Sequence, residues 1–291
     1  MSTLKALAFA KLNLYLDITG RRQDGYHLLE TVMQSISLAD SVSVELSGGS
    51  GISLFCDREG VPTDRRNTAY RAAELFLQTA GKDAQVDISI EKHIPSGAGM
   101  GGGSADAAAV LRLLNIGFGC PLDEKALLDI AAQIGADVPF CLVGGTKLCR
   151  GIGEQLSEFP EVRDVTFLVV KPDFSCPTGE AYARYDAAPI PSCGGLGSFT
   201  AAMENRSFAR KMYNVFQLLY ADERIETLCT QLVELGAEGA MLTGSGSAVF
   251  GVFGDCYKAK AALDKLPAGC FKELCIPSHT GGVEIIGAEG D

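Results

Sequence analysis

The sequence predicts an α+β protein of two α/β-type domains, and three observations carry that expectation. At 291 residues the chain is long for one compact core and suits two packed units. Segments that alternate apolar and polar residues, as half-buried strands do, are interleaved with helical segments bearing start and stop signals. After residue 155 the pattern restarts on the apolar run VTFLVVKP, which sets a first domain at 1–155 and a second at 156–291.

The elements follow in order. Residues 6–18, ALAFAKLNLYLDI, alternate and read as a strand, and RRQDGYH (21–27) turns on Asp24-Gly25. Residues 30–46 alternate again as one or two strands, and ISLFC (52–56) is a further one. Residues 67–81 are helical, with Asn67 as N-cap and Gly81 after the end. QVDISIEKHI (85–94) is a strand leading into a glycine run, with a helix over 104–115 behind it and another over 122–135, opened by Asp123 and closed by Gly135. The next residues, ADVPF, are expected to be extended, because a residue before proline is pushed from the helical region. Strands flank 144–153, and 187–200 reads as a Pro/Gly/Ser loop. Helices are expected at 207–220, 222–236 and near 255–265, a glycine-serine turn within 239–253, and a last strand at 271–277.

Composition excludes several functions. A net charge of −11 leaves no basic face for nucleic acid. No apolar run approaches the ~20 residues of a membrane span, and no leader pattern is seen at the N-terminus. Ten cysteines stand singly without a CxxC pair, which reads as reduced thiols in the cytoplasm. With three histidines besides, no metal-ligand set is expected.

The stretch 97–103 spends five of seven positions on glycine. A flexible linker is a poor reading, because SADAAAVLRLL starts a helix at once, with Ser104 as N-cap and Asp106 in the first turn. Gly97, Gly99 and Gly102 match the dinucleotide pattern G-x-G-x-x-G, but no second strand follows at the required distance. A P-loop needs a lysine after the run, and there is none. A different phosphate loop fits every residue: glycines let several backbone N–H groups converge, and the helix aims its positive end at an anion.

Three segments, PSGAGMGGGSADAA (95–108), AFAKLNLYL (8–16) and LTGSGSAVF (242–250), together resemble the motifs of the GHMP kinase superfamily, in order and across nearly the whole chain. AKLNLYLDITGRRQDGYHLLET and GADVPF are similar to the branch that phosphorylates the 2-hydroxyl of a cytidylated methylerythritol in non-mevalonate isoprenoid synthesis. Ala105 stands where that branch often has a second serine, and 172–210 matches only loosely.

The resemblance implies a ribosomal-protein-like N-terminal domain and a ferredoxin-like C-terminal domain, with ATP and substrate in the cleft between them. It implies Asp137 as catalytic base and Lys11 as its electrostatic partner. Asp137 follows a helix C-terminus, a field that disfavours an anion, and for its residues alone a turn aspartate is an equal reading. ATP would lie on Pro95, Gly97, Ala98, Gly99, Gly101, Gly102, Gly103 and Ser104, with Asn67 and Lys92 near the adenosine. Asn13, Tyr26 and His27 would read the cytidine end, with Tyr182 as a second stacking face. Gly244, Ser245 and Gly246 would close on the reacting end. ATP with Mg²⁺ is the implied cofactor pair, small molecules are the partners, and a monomer or weak homodimer is expected.

Overall fold

The structure, a computed structural model, describes residues 3–219, 223–267, 269–279 and 281–289. Its frame is an antiparallel pair of long strands, β1 (Thr3–Arg21) and β2 (His27–Ser47), joined by the Asp24-Gly25 turn. Residues 27–47 form one strand rather than two because their halves serve different neighbours. Ser41–Ser47 pair with β4 (Gln85–Glu91), while Thr31–Gln34 pair with β5 (Thr146–Arg150). β3 (Gly51–Cys56) runs parallel to β4, and β6 (Gln155–Glu158) extends β5.

Helices cover one side of this sheet. α1 (Thr68–Ala80) is capped by Asn67, which accepts a hydrogen bond from the Ala69 N–H, and ends on a left-handed Gly81. α2 (Gly102–Gly117) is buried along most of its length, and its run of alanines at 105 and 107–109 lets it pack close to the sheet. α3 (Glu124–Ile134) starts from the Asp123 cap as expected. It is followed by α4 (Val138–Val143).

β7 (Thr166–Lys171) starts a second, antiparallel sheet. Then come α5 (Thr178–Ala187), α6 (Leu196–Glu204), β8 (Tyr213–Asn214), α7 (Val215–Leu219) and α8 (Glu223–Glu234). β9 (Gly239–Leu242), β10 (Val249–Phe253), α9 (Cys256–Lys265), β11 (Phe271–Cys275) and β12 (Val283–Glu289) complete the chain. The second sheet has the order β11-β7-β10-β9, so the two-sheet α+β class is as expected. β8 and β12 instead pair with β1, so two pieces of the 156–291 stretch lie in the first sheet.

Four expectations are corrected. ADVPF is not extended: Val138–Val143 is helical, with Pro139 in its first turn, where a missing N–H costs nothing. The 187–200 loop gives way to α6 at Leu196, whose apolar face carries the buried Phe199. The single helix over 207–220 is broken into a short 3-10 turn (Phe208–Lys211), β8 and α7; residue 220, like residue 222 of the following expected helix, lies outside the described residues. The Asn214 amide explains the break. It donates to the carbonyls of Leu242 (2.8 Å) and Gly244 (2.9 Å) and accepts from the Phe216 N–H (2.9 Å), bonds a continuous helix could not make. Residues 271–277 do not supply the last strand either, since β12 follows. Among the described residues no helix is long and apolar enough to cross a membrane.

The return of β12 also locks α4. Gly144 ends α4 at φ 69°, ψ −163°, where an added Cβ would stand 2.0 Å from the Gly281 carbonyl carbon and the Gly282 nitrogen. Gly144→Ala should therefore lower stability by about 2 kcal/mol or more. Urea unfolding checks this, and an unchanged midpoint would contradict it.

Candidate active site

The glycine run is stitched by its backbone to both sides of the molecule. The Lys11 N–H donates to the Met100 carbonyl (3.0 Å), and the N–H groups of Ser247 and Ala248 donate to the carbonyls of Gly97 (3.3 Å) and Ala98 (3.2 Å). The approach is so close that a Cβ on Gly99 would lie 2.2 Å from the Thr243 carbonyl oxygen. With φ at 74° as well, only glycine serves at 99. α2 then starts two residues earlier than expected, from Gly101, whose carbonyl accepts from the Ala105 N–H at 2.9 Å. Ser104 therefore sits inside the first turn and is not the N-cap. The unpaired N–H groups of that first turn belong to residues that line a cleft of about 960 Å³.

The cleft gathers every residue assigned from sequence except Gly246. Gly246 is turned inward, toward Leu242 and Cys176, and its N–H donates to the Thr243 carbonyl (2.9 Å). Ser245 lines the cleft, with its hydroxyl 3.0 Å from that of Thr178. Asn67 reaches the lining too, yet both ends of its amide are engaged: Oδ1 caps Ala69 and Nδ2 donates to the Pro62 carbonyl.

At the centre Lys11, 3% exposed, points from β1 into the cleft. Its Nζ donates to Asn13 Oδ1 (2.7 Å) and stands 3.5 Å from Asp137 Oδ2. Asn13 is held in turn by Thr31, which accepts from Asn13 Nδ2 (2.9 Å) and donates to the Tyr15 carbonyl (2.6 Å). The environment of Asp137 differs from the expectation. It occupies the cap position of α4, with helical φ and ψ, at the positive end of a helix rather than in the negative field behind α3. Its side chain is 32% exposed, so it is open to the cleft. Cys141 and Cys149 are buried, and burial pushes the Cys149 thiol up to about 12 and Cys141 higher still. Both therefore stay thiols at neutral pH and offer no nucleophile.

Lys92, expected near the adenosine, lines the cleft but is held between two carboxylates. It bonds Asp40 and Asp106 Oδ2 (2.7 Å), and all three side chains are buried. Asp40 also accepts from the N–H groups of His93 (2.6 Å) and Ile94 (2.8 Å), fixing the chain as it enters the glycine run. Asp106 Oδ1 is buried without a partner, and burial raises its carboxyl to about 7 against the pull of Lys92. Sequence reasoning missed Asp40 altogether. The signal for Asp106 was present: a carboxylate within the apolar helix SADAAAVLRLL. Among the described residues no group of three or more His, Cys, Asp or Glu could hold a metal ion.

At the other end Tyr26 is exposed on the turn after β1. His27 stacks on Tyr182, with ring centroids 4.9 Å apart and planes at 23°, and its Nε2 lies 2.8 Å from Asp186 Oδ1. Tyr182 thus already supports His27, with Phe216 edge-on behind it. Asp186 gave no signal in sequence, because it comes from α5, which was not anticipated.

Comparison with known proteins agrees with this architecture. Residues 67–145 match the GHMP kinases N terminal domain, and residues 198–272 match the GHMP kinases C terminal domain. The chain belongs to the GHMP kinase family. A Clostridium botulinum relative named 4-diphosphocytidyl-2-C-methyl-D-erythritol kinase is 42% identical over 274 residues, covering 92% of this chain and 97% of the relative. A Clostridium beijerinckii protein of the same name is 38% identical, covering 90% and 95%. The crystal structure of a 4-(cytidine 5'-diphospho)-2C-methyl-D-erythritol kinase superposes with a TM-score of 0.78 at 34% identity, over 93% of this chain and 98% of that one. A homoserine kinase from Cytophaga hutchinsonii superposes with a TM-score of 0.76 at 20% identity, over 98% and 97%, a likeness of fold alone.

The Asp106 cluster makes stability depend on pH. A carboxyl raised to about 7 keeps a proton in the folded chain that the unfolded chain has already released. Stability is thus lost as pH rises from the ordinary carboxylate range to about 7. Asp106→Asn still offers Lys92 an acceptor and removes that loss. In metal-free buffer the melting temperature of the variant relative to the unmodified protein should rise between about pH 5 and pH 8. A difference that does not change with pH would contradict this.

Proposed function

We propose that this chain transfers the γ-phosphoryl group of ATP to the 2-hydroxyl of 4-diphosphocytidyl-2-C-methyl-D-erythritol, a step of non-mevalonate isoprenoid precursor synthesis. The observation that carries the chemistry is the Lys11–Asp137 pair, 3.5 Å apart and opening into the same cleft as the glycine run. The substrate is supported by the 42% identical relative, whose name specifies it.

Phosphoryl transfer needs the phosphate charge held, the acceptor in line and its proton removed. The polyphosphate lies on the N–H groups at the start of α2, where the helix dipole favours an anion. Asp137 Oδ2 accepts the hydroxyl proton as the hydroxyl oxygen bonds to the γ-phosphorus. The bond from that phosphorus to the bridging oxygen breaks, and ADP leaves. Lys11 stabilises the negative charge that gathers on the attacking oxygen. Its Nζ is held for this by Asn13, and the burial of its stem keeps water from competing.

Mg²⁺ accompanies the nucleotide and is consistent with one carboxylate plus phosphates rather than a protein cage. Asp106, whose Oδ1 lacks a partner, and Ser104 would hold it, and it would neutralise phosphate charge. The free cysteines are consistent with a cytoplasmic enzyme, and we read the chain as a monomer or weak homodimer without nucleic-acid or membrane partners.

A coupled ADP-release assay with ATP and Mg²⁺ tests the reading, with the cytidylated methylerythritol, homoserine and mevalonate as acceptors. Turnover is expected with the first alone. Asp137→Asn should lower kcat at least about 100-fold while ATP binding stays near normal. Turnover of another acceptor would contradict the substrate, and a near-normal kcat in Asp137→Asn would contradict the base.

A further inference from the structure

His27 is the one histidine that lines the cleft among the described residues, and its ring is fixed on three sides. Tyr182 stacks on its face at 4.9 Å, Tyr185 meets it edge-on at 5.5 Å and 88°, and Nε2 lies 2.8 Å from Asp186 Oδ1. The Arg21 guanidinium stands 3.6 Å from the same Asp186 oxygen and favours its charge. A carboxylate can only accept, so Nε2 must carry the ring proton and donate it. In the neutral ring, Nδ1 is then a lone-pair acceptor. Nδ1 makes no hydrogen bond among the described residues, and a ring held in this way cannot turn to exchange its nitrogens.

We propose that Asp186 is a positioning residue for substrate selection: by holding the His27 proton on Nε2, it makes Nδ1 an acceptor that selects a pyrimidine with an amino group at position 4 over one with a carbonyl there. A 4-amino group donates to Nδ1. A 4-carbonyl oxygen would face it lone pair to lone pair, leaving two buried acceptors unpaired. The discrimination is of the kind that polar sites make strongly, because the wrong substrate loses a bond and leaves the site's own group unsatisfied. This inference rests on the proposed function, in which the cytidine end lies at His27, and it adds the element that enforces cytidine over uridine.

Two measurements test it. The first needs no substrate. With histidine labelled at its ring nitrogens, the three histidines give few signals, and His27→Gln identifies that of residue 27. At a pH where the ring is neutral, Nε2 should be protonated and Nδ1 bare. The mixture of tautomers should increase in Asp186→Ala, and Asp186→Glu should restore the single form. A bare Nε2 in the unmodified protein would overturn the proposal.

The second is kinetic, with the cytidylated and uridylated methylerythritol diphosphates as paired acceptors. The unmodified enzyme should prefer the cytidylated acceptor by at least about 30-fold in kcat/KM. In Asp186→Ala the KM for the cytidylated acceptor should rise about tenfold and the preference should shrink several-fold. The KM for ATP should stay within about twofold, and Asp186→Glu should recover part of the loss. An alanine variant that keeps both the KM and the preference would overturn the proposal, as would one that loses kcat and both KM values together. If the unmodified enzyme turns over neither nucleotide, the functional reading fails and this one with it. If it turns over the cytidylated acceptor and only the Asp186 results disagree, this inference fails alone.

Discussion

The site is organised around one buried ammonium. Lys11 lies in a strand that is otherwise apolar, on a sheet covered by helices, and its charge is 3% exposed. A cation in such a place is tolerated only when partners surround it, since its desolvation is worth several kcal/mol. Asn13 supplies one partner from two residues along, and Thr31 on the neighbouring strand orients that amide. Asp137 supplies the charge. The Lys11 stem needs room as well, and a Cβ on Gly101 would stand 3.1 Å from its Cγ. The glycine run thus serves two ends at once: it exposes N–H groups for an anion and makes space for the lysine beneath.

Asp137 reaches that lysine because α4 is held from behind. The helix has only six residues and ends on Gly144, where the chain segment around Gly281 and Gly282 passes almost in contact. On the far side, the turn at 243–248 docks by backbone hydrogen bonds on the glycine run, and Thr243 accepts from the Asn13 N–H at 3.0 Å. The three motifs that lie far apart in sequence therefore meet at a single point. That meeting is the physical content of their joint presence in the family.

Legibility followed the range of the interactions. Asn67, Gly81 and Asp123 were readable as caps because a cap is decided within a few residues, and each does that work in the structure. The glycine run was readable because its spacing excludes the commoner phosphate motifs. What escaped depends on distant partners. The strand 283–289 pairs with residues 3–8, and nothing within it says so. The helix expected over 207–220 is periodic enough to mislead, and it is broken by one asparagine bonded to 242 and 244. For Asp137 the residue was legible but its field was not. The proline read as forbidding a helix instead sits in the first turn of one. Asp40 and Asp106 show the same limit, since neither has meaning until Lys92 is brought between them.

The central claim is that Lys11 and Asp137 act as one unit on the acceptor's proton. A double-mutant cycle on kcat, with Lys11→Met, Asp137→Asn and the combined variant, tests it most directly. If the two act together, the combined variant should be little slower than the slower single variant, because either change already disables the unit. If the two losses instead multiply, Lys11 and Asp137 contribute independently and the account of the site is wrong.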